Sequence, residues 1–232
     1  KCGADSYDLY LTGKGNFRES VATIRPYKGN RPSDKPHHYQ RIRDYLVKFR
    51  NAILVDGMEA DDAVSIEQMS DYEVVAEGIT HQSLEGAAII PPRECCNTII
   101  ASIDKDLDMV PGWHYNWQKD ERYWVDEHAG LTSFYKQLLT GDNVDNIPGL
   151  FGVGKSSVLL RRVDGCDTEL DMYRLCREQY EKRFGSGYWW QFLLENAQLL
   201  WMLREDHDTY LSPELEIRSS LGILEEERQD ED

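Results

Sequence analysis

The first half of the chain alternates short apolar runs with amphipathic stretches. The apolar runs predict strands at residues 7–11, 53–55 and 98–103, and the last two are predicted to be buried. Apolar residues that recur every three or four positions predict helices over residues 37–50 and 60–69. Strands that alternate with helices in this order are typical of an α/β fold, here with a doubly wound sheet.

The second half of the chain has a different pattern. Residues 113–125 alternate aromatic and polar side chains, as the two strands of a hairpin do. Beyond residue 126 the periodicity is helical, and it is strongest over residues 188–204. We therefore expect an α/β domain over residues 1–126 and a helical subdomain over residues 127–224.

Two further segments are predicted to lie outside these regular patterns. Residues 70–94 are polar and irregular, with two adjacent prolines near the end, and we interpret them as an insertion in the α/β domain. Residues 225–232 are nearly all acidic, which is typical of a solvated or frayed tail.

Composition narrows the class of protein. The chain has 232 residues, of which 41% are hydrophobic, so it can bury a core and is too apolar for intrinsic disorder. It has no run of about 18 apolar residues and no signal peptide before Lys1, so we expect neither a membrane span nor a membrane partner. Five cysteines without Cys-x-x-Cys spacing predict free thiols in a cytoplasmic protein.

The net charge of −16 by itself argues against adhesion to DNA. The distribution of charge changes that conclusion. Residues 1–56 contain 11 Lys and Arg against 6 Asp and Glu, whereas the rest of the chain carries a charge of −21. A basic segment is thus available for an anionic partner, and the acidic residues need an explanation of their own.

The first group of acids directly follows the strand predicted at residues 53–55. Glu59, Asp61 and Asp62 lie where a strand ends and a helix begins, which is where ligands bind in open α/β sheets. Glu59 and Asp62 are three residues apart and can share one helix face. The alternative is that these acids only provide favourable negative charge at a helix N-terminus.

The second group follows the strand predicted at residues 98–103. Asp104 and Asp106 are two residues apart, so both carboxylates can reach one hard cation at a strand-to-helix turn. Carboxylate oxygens are the ligands that Mg²⁺ and Mn²⁺ prefer. The alternative for Asp104 is a helix N-cap.

The third group precedes a glycine-rich segment. Asp142 and Asp145 are followed by Gly149, Gly152, Gly154 and Lys155. Residues 149–156 match the spacing of a nucleotide-binding P-loop, but no strand is predicted to lead into them, as a P-loop requires. A glycine hairpin between helices is instead suited to presenting backbone N–H groups to a nucleic-acid phosphate.

Together the three groups point to one kind of chemistry. Seven clustered carboxylates would repel one another unless cations bind between them. The sequence therefore predicts a divalent-metal site for phosphodiester hydrolysis, with two Mg²⁺ or Mn²⁺ ions holding the attacking water and the leaving oxygen.

The chain resembles the 5′-nuclease superfamily. Its Glu59-Ala60-Asp61-Asp62, Asp104-Lys105-Asp106-Leu107 and 141–149 segments are similar to the family's acidic signatures and occur in the family's order, within a resemblance that runs from about Thr12 to Lys155. The superfamily includes phage 5′-3′ exonucleases, flap endonucleases and the 5′-exonuclease domain of bacterial DNA polymerase I. The resemblance implies a Rossmann-like (PIN-like) nuclease domain and, in the helical subdomain, a helix-3-turn-helix.

The resemblance also implies roles for the candidate residues. Glu59, Asp61, Asp62 and Asp104 would bind the first metal ion, and Asp106, Asp142 and Asp145 the second. Backbone amides at Gly149, Gly152 and Gly154, together with Lys155, would bind duplex DNA, with a K⁺ ion at the same hairpin. The substrate would be DNA with a 5′ end or a 5′ flap. The enzyme would be a monomer that works beside replication proteins, in the bacterial host cytoplasm if it is phage-encoded.

The basic segment fits the same activity. Eight cations between Lys14 and Arg43 are interleaved with aromatic rings, which suits a single-stranded end that threads past the metals. Those predicted to contact DNA are Lys14, Arg18, Lys28, Arg31 and Lys35. Tyr27-Lys28-Gly29-Asn30-Arg31 also resembles a family motif. The resemblance implies that Lys28 offsets charge in the transition state, that Arg31 grips a phosphate, and that residues 28–50 contribute to an arch over the site.

Two departures from the family pattern leave alternatives open. Family members begin with a strand that ends in a metal-binding Asp, which would precede Lys1, and many carry an Asp where Thr12 and Gly13 stand. One alternative is therefore a structure-selective DNA-binding module without activity of its own. Another is an RNA-directed nuclease of the related PIN-like folds. The sequence also leaves open whether an exonuclease or a flap endonuclease is favoured.

Overall fold

A computed structural model of the protein describes residues 2–32, 34–75, 78–80, 88–90 and 93–214. These residues form two compact units that interleave along the chain. Unit 1 comprises residues up to 14, 37–130 and 202–207, and unit 2 comprises residues 15–36, 131–201 and those from 208 onward. The two parts of the predicted arch, before and after residue 36, therefore fall in different units. The predicted domain boundary after residue 126 stays a prediction.

The described chain mixes helices and short strands, which confirms a mixed α/β fold. The helices are α1 Phe17–Val21, α2 Tyr39–Arg50, α3 Ala60–Asp71, α4 Glu127–Thr140, α5 Val158–Asp164, α6 Glu169–Phe184 and α7 Trp189–Leu200. The strands are β1 Tyr10–Thr12, β2 Ile53–Val55, β3 Glu73–Val75, β4 Gly78–Thr80, β5 Ala88–Ile90, β6 Arg93–Cys95, β7 Ile99–Ala101, β8 Gly112–Asn116 and β9 Glu121–Val125. A 3₁₀ helix spans Lys105–Met109. Among the described helices, none is long and apolar enough to cross a membrane.

The strands of unit 1 pair in small groups. β1 and β2 are parallel, β7 and β8 are parallel, and β9 continues the second group as the antiparallel partner of β8. The predicted hairpin at residues 113–125 is thereby confirmed. β3 pairs with β6 and β4 with β5 in and next to the predicted 70–94 insertion, of which residues 76–77, 81–87 and 91–92 lie outside the described residues. A continuous doubly wound sheet stays a prediction.

The predicted burial of the strand at 53–55 is wrong. Ile53 and Leu54 keep 44% and 51% of their surface exposed, and among the described strands β2 pairs only with β1. In β7 the central Ile100 is buried, whereas its neighbours are less so. Apolar content alone thus identified both strands correctly but overestimated how much of each is covered.

Helix α3 runs opposite to β1. The Tyr10 hydroxyl, at the start of β1, donates to Glu67 at 3.4 Å, and the Thr12 hydroxyl, at its end, accepts from the Ala60 N–H at 2.9 Å. At the other end of α3, the Asp71 carboxylate accepts from the backbone N–H of Thr98 at 3.0 Å, just before β7. The backbone N–H of Asn97 and, to a lesser extent, its side chain donate to Asp71 and hold the pKa of that carboxyl below its usual range. Strands β1 and β7 therefore both begin near the C-terminal end of α3, and β1 ends near the N-terminal end of that helix.

Unit 2 is helical, as predicted beyond residue 126. Its core is formed by apolar side chains of four helices: Phe134, Leu138, Val163, Met172, Leu193, Ala197 and Leu200 are all buried. The buried Tyr180 hydroxyl donates to the Leu138 carbonyl at 2.7 Å and accepts from Asn196 at 2.9 Å. Burial raises the pKa of Tyr180, so this hydroxyl remains a neutral donor. The helix predicted over 188–204 is shorter than expected and ends at Leu200. The predicted tail at residues 225–232 lies outside the described residues.

Candidate functional site

Glu59 and Asp62 form a capping box at the start of α3. The Glu59 carboxylate accepts from the Asp62 N–H, and Asp62 Oδ2 accepts from the Glu59 N–H at 3.0 Å. Asp62 is fully buried, and its Oδ1 also accepts from the Leu203 N–H at 3.3 Å. Asp61 is half-buried on the same turn. Glu59 and Asp62 therefore stabilise the N-terminus of α3, as the alternative interpretation expects, and their role as metal ligands stays a prediction.

Asp104 and Asp106 lie beyond the end of β7. Asp104 is the N-cap of the 3₁₀ helix, because its Oδ1 accepts from the Asp106 N–H at 3.0 Å. Asp106 in turn forms an ion pair with Lys105 at 2.8 Å. The N-cap alternative for Asp104 is confirmed, and it does not exclude a metal, because a carboxylate keeps further lone pairs after accepting one hydrogen bond.

Gly13, one of the two residues at which we expected an acid from the resemblance, has no room for a side chain beside Asp56. A Cβ atom on Gly13 would lie within 3.0 Å of Asp56 Oδ1 and of the Val55 carbonyl oxygen. The Asp56 carboxylate accepts from the Lys14 N–H at 2.6 Å and occupies this space. Sequence analysis missed Asp56, although an acid directly after a predicted strand was a signal that could have found it.

Asp142 organises the loop between α4 and α5. Its buried carboxylate accepts from the N–H groups of Val144 at 2.6 Å and Asp145 at 3.3 Å, and from the Gln137 side chain at 3.2 Å. Its backbone exchanges two hydrogen bonds with Ile147. The chain enters this loop from α4 and no named strand of the described chain leads into it, so the P-loop interpretation lacks the context it requires.

Asp145 lies at the centre of a group of donors that we call the Asp145 cluster: Tyr27, Lys28, Arg31 and Asp145. The Tyr27 hydroxyl donates to Asp145 Oδ2 at 2.9 Å, and Lys28 Nζ lies 3.6 Å from the same oxygen. The Arg31 guanidinium donates to Asp145 Oδ1. The fold thus joins the two cations predicted to act on phosphate with a predicted metal ligand more than 110 residues away in the chain.

The prediction that Arg18 binds DNA is wrong. Its side chain is 1% exposed, and the guanidinium donates to the carbonyl oxygens of Leu199 at 2.9 Å and Trp201 at 2.6 Å. These carbonyls lie at the C-terminal end of α7, where helix carbonyls lack partners within the helix and where positive charge is stabilising. Arg18 therefore caps α7.

Replacing Arg18 with alanine is expected to lower the free energy of unfolding by about 2 kcal/mol, because two carbonyls lose a charged donor in a buried place. Urea denaturation followed by circular dichroism measures this change. Arg25→Ala, at an exposed cation of the same segment, is the matched control and should stay within about 0.5 kcal/mol of the parent. Equal stability of the two variants would contradict the assigned cap.

The other predicted DNA contacts differ in exposure. Gly149 is buried, and a Cβ atom there would lie within 3.0 Å of backbone atoms of Gly141, so its burial contradicts a direct DNA contact. Gly152, Gly154 and Lys155 are exposed beyond it. The side chain of Phe151 in the same loop is 86% exposed, with the Arg183 guanidinium 5.8 Å from its ring. Lys14 and Lys35 are also exposed.

The chemistry of the predicted metal ligands suits a hard divalent cation. All seven are carboxylates, and hydrogen bonds to neighbouring N–H groups orient several of them, as partners of metal ligands do. Within the part of the chain that the structure describes, no three acidic, histidine or cysteine side chains are grouped closely enough to hold one ion. The assignment of the ligands to individual ions thus remains a prediction.

Comparison with known proteins finds similarity in solved structures alone. No protein-family model matches the chain, and no curated protein matches it. The 5′-exonuclease of T5 with bound zinc is similar over 83% of this chain and 73% of its own, with 15% identity and a TM-score of 0.48. A mutant of that exonuclease has a TM-score of 0.49, with the same identity and coverage. A bacteriophage T5 flap endonuclease in complex with DNA and metal ions is similar over 83% of this chain and 84% of its own, with 13% identity and a TM-score of 0.39.

Proposed function

We propose that this protein is a metal-dependent nuclease that hydrolyses phosphodiester bonds in DNA bearing a 5′ end or a 5′ flap. The seven predicted ligands would hold two Mg²⁺ or Mn²⁺ ions: Glu59, Asp61, Asp62, Asp104, Asp106, Asp142 and Asp145. Such ions supply a nucleophile at neutral pH and offset charge on the reacting phosphate. K⁺ binding at the glycine loop, and work beside replication proteins as a monomer, belong to the same proposal.

The Asp145 cluster is the observation that carries this proposal. Lys28 and Arg31 lie on one short segment, and Asp145 orients both cations through direct ion pairs. The Lys28 side chain is only 23% exposed, so its charge is partly shielded from solvent and acts more strongly than a fully hydrated one. Such a pair of oriented cations can bind a phosphate of DNA.

The proposed roles of the individual residues follow from the chemistry of their side chains. Arg31 offers a planar set of donors that suits two phosphate oxygens at once, and Lys28 offers a compact charge for the oxygen on which negative charge develops. Tyr27 donates to Asp145 and so fixes the rotamer of that carboxylate. In unit 1, the capping box holds Glu59 and Asp62 at the start of α3, and the cap holds Asp104 at the start of the 3₁₀ helix.

A structure-selective DNA-binding module without activity is the second candidate. It is favoured by Gly13, because Asp56 fills the space that an acidic side chain at this position would need. Binding would then rest on the exposed residues Gly152, Gly154 and Lys155 and on the cations Lys14, Lys28, Arg31 and Lys35, without a complete set of metal ligands.

Cleavage of labelled DNA tests the first candidate against the second. We expect the chain to cut a 5′-flap duplex in Mg²⁺, to lose this activity when EDTA removes the metal, and to bind the same duplex in Ca²⁺ without rapid cleavage. A flap of the same sequence made of RNA is the matched substrate control. Binding without cleavage would support the DNA-binding module, preferential cleavage of the RNA would indicate an RNA-directed nuclease, and neither binding nor cleavage would contradict both candidates.

A further inference from the structure

We infer that Glu195 is a positioning residue that holds the segment bearing Lys28 and Arg31 in its working conformation. Glu195 lies on α7, outside every predicted motif in the sequence, and contacts the segment at Thr23 and Ile24. Its role as a positioning group rests on the proposed function, whereas the anchor that it provides can be tested apart from any activity.

Three donors from two consecutive residues converge on the Glu195 carboxylate. Its Oε1 accepts from the backbone N–H of Thr23 at 2.9 Å and of Ile24 at 2.8 Å, and its Oε2 accepts from the Thr23 hydroxyl. Glu195 is 9% exposed. A buried carboxylate is costly unless it is fully hydrogen-bonded, and here the backbone that it fixes supplies the donors.

The same segment has a second anchor at Pro26, Lys28 and Asn30, a few residues further on. The Pro26 carbonyl accepts from the Asn146 side chain at 2.9 Å, and the Lys28 N–H donates to the Asp145 carbonyl at 2.9 Å. The Asn30 side chain donates to the Asn143 carbonyl at 2.5 Å. Residues 23–31 are therefore fixed by α7 at one end and by the 143–146 loop at the other.

Lys28 needs both anchors because its backbone is strained. Its φ angle of 54° lies in the left-handed region, which a residue with a Cβ atom rarely adopts. Such a conformation persists only where surrounding contacts enforce it. If the anchor at residues 23–24 is lost, we expect the segment to relax and Lys28 to leave the position in which it faces Asp145.

A purely structural role for Glu195 predicts a different outcome. In that case its loss would weaken the packing of the segment on α7, as loss of the Arg18 cap would, without a specific link to Lys28. Arg18 docks the same segment on α7 through α1 and is the matched control, since it lies ten residues before Lys28. Two measurements separate these roles. One is whether the effect of Glu195→Ala on cleavage depends on Lys28, and the other is whether the backbone of the segment opens more readily in the variant.

The cleavage rate of the 5′-flap duplex measures the energetic coupling between Glu195 and Lys28. We expect Glu195→Ala to lower kcat by about 10- to 100-fold, as small displacements of a catalytic group do, with a smaller change in KM. Glu195→Gln should restore most of the activity, because its amide oxygen still accepts from both N–H groups. In the Lys28→Ala background, Glu195→Ala should have much less effect than in the parent. An equal effect in both backgrounds, or an effect no larger than that of Arg18→Ala, would overturn the inference.

Hydrogen exchange of backbone amides tests the anchor without any activity. In Glu195→Ala, the N–H of Lys28, which donates to Asp145, should exchange about tenfold faster or more, whereas amides in the centre of α6 should be unchanged. Unchanged exchange at Lys28 would overturn the anchor. If the parent fails to cut DNA, the proposed function fails, and faster exchange at Lys28 would still support the anchor as a structural fact.

Discussion

Replacing Gly149 with alanine is expected to lower the free energy of unfolding by about 3–5 kcal/mol, the largest loss of stability that we expect from one added methyl group. Gly149 has a φ angle of 56°, which is costly for alanine. Its added Cβ would also lie within 3.0 Å of the Gly141 nitrogen and of the Thr140 carbonyl carbon, both of which are backbone atoms that cannot rotate away. Thermal unfolding followed by circular dichroism measures the effect.

Gly152→Ala is the matched control for this prediction. Gly152 lies in the same loop with a φ angle of 86°, but a Cβ atom there meets nothing within 4 Å. Only the cost of the left-handed backbone remains, about 1–2 kcal/mol. If both variants lose the same stability, the close approach of Gly141 and Gly149 is not what holds the loop together.

Asp104→Asn is expected to reduce Mg²⁺-dependent DNA cleavage by about 100-fold or more while leaving the fold intact. Asparagine caps a helix as well as aspartate does, so the hydrogen bond to the Asp106 N–H should survive and stability should change by less than about 0.5 kcal/mol. The negative charge on a proposed metal ligand is lost, and even the loss of a partner to such a ligand costs about 10- to 100-fold. Single-turnover cleavage across a range of Mg²⁺ concentrations measures the effect.

Asp108→Asn controls for the charge itself. Asp108 lies in the same 3₁₀ helix, and its Oδ1 accepts from the Tyr123 hydroxyl at 2.6 Å. Burial, followed by this hydrogen bond, raises the pKa of Tyr123, so the hydroxyl stays a donor and asparagine can accept from it. Asp108 is outside the proposed ligand set, and its variant should cut DNA at close to the parent rate. Equal losses in the two variants would indicate a general charge effect and contradict the ligand assignment of Asp104.

Asp104 also shows why a structural and a functional interpretation of one residue need not compete. A carboxylate that caps a helix is oriented by the N–H group that it accepts from, and its remaining lone pairs point away from that group. The capping box at Glu59 and Asp62 does the same at the start of α3. The hydrogen bonds that fold these turns are therefore compatible with holding a cation, provided that the carboxylates face one.

The amino-acid sequence determined the local structure and placed the residues from which the chemistry is predicted. Periodicity located α2, α3 and the hairpin of β8 and β9 to within a few residues, because these elements depend on neighbours that are close in the chain. The acidic and glycine motifs were identified for the same reason, since their spacing is local. The sequence also singled out Lys28 and Arg31 as a pair, by resemblance.

Tertiary structure decided which side chains meet and which are buried. Arg18 looked like any other cation of the basic segment, and only the fold shows that its charge faces the end of α7. Asp145 was predicted as a metal ligand from its local motif, but its contacts with Tyr27, Lys28 and Arg31 join residues more than 110 positions apart. Glu195 gave no signal at all, because a carboxylate that binds backbone N–H groups of a distant segment leaves no pattern in its own neighbourhood. Burial and long-range hydrogen bonds depend on how the whole chain packs, and no local spacing encodes them.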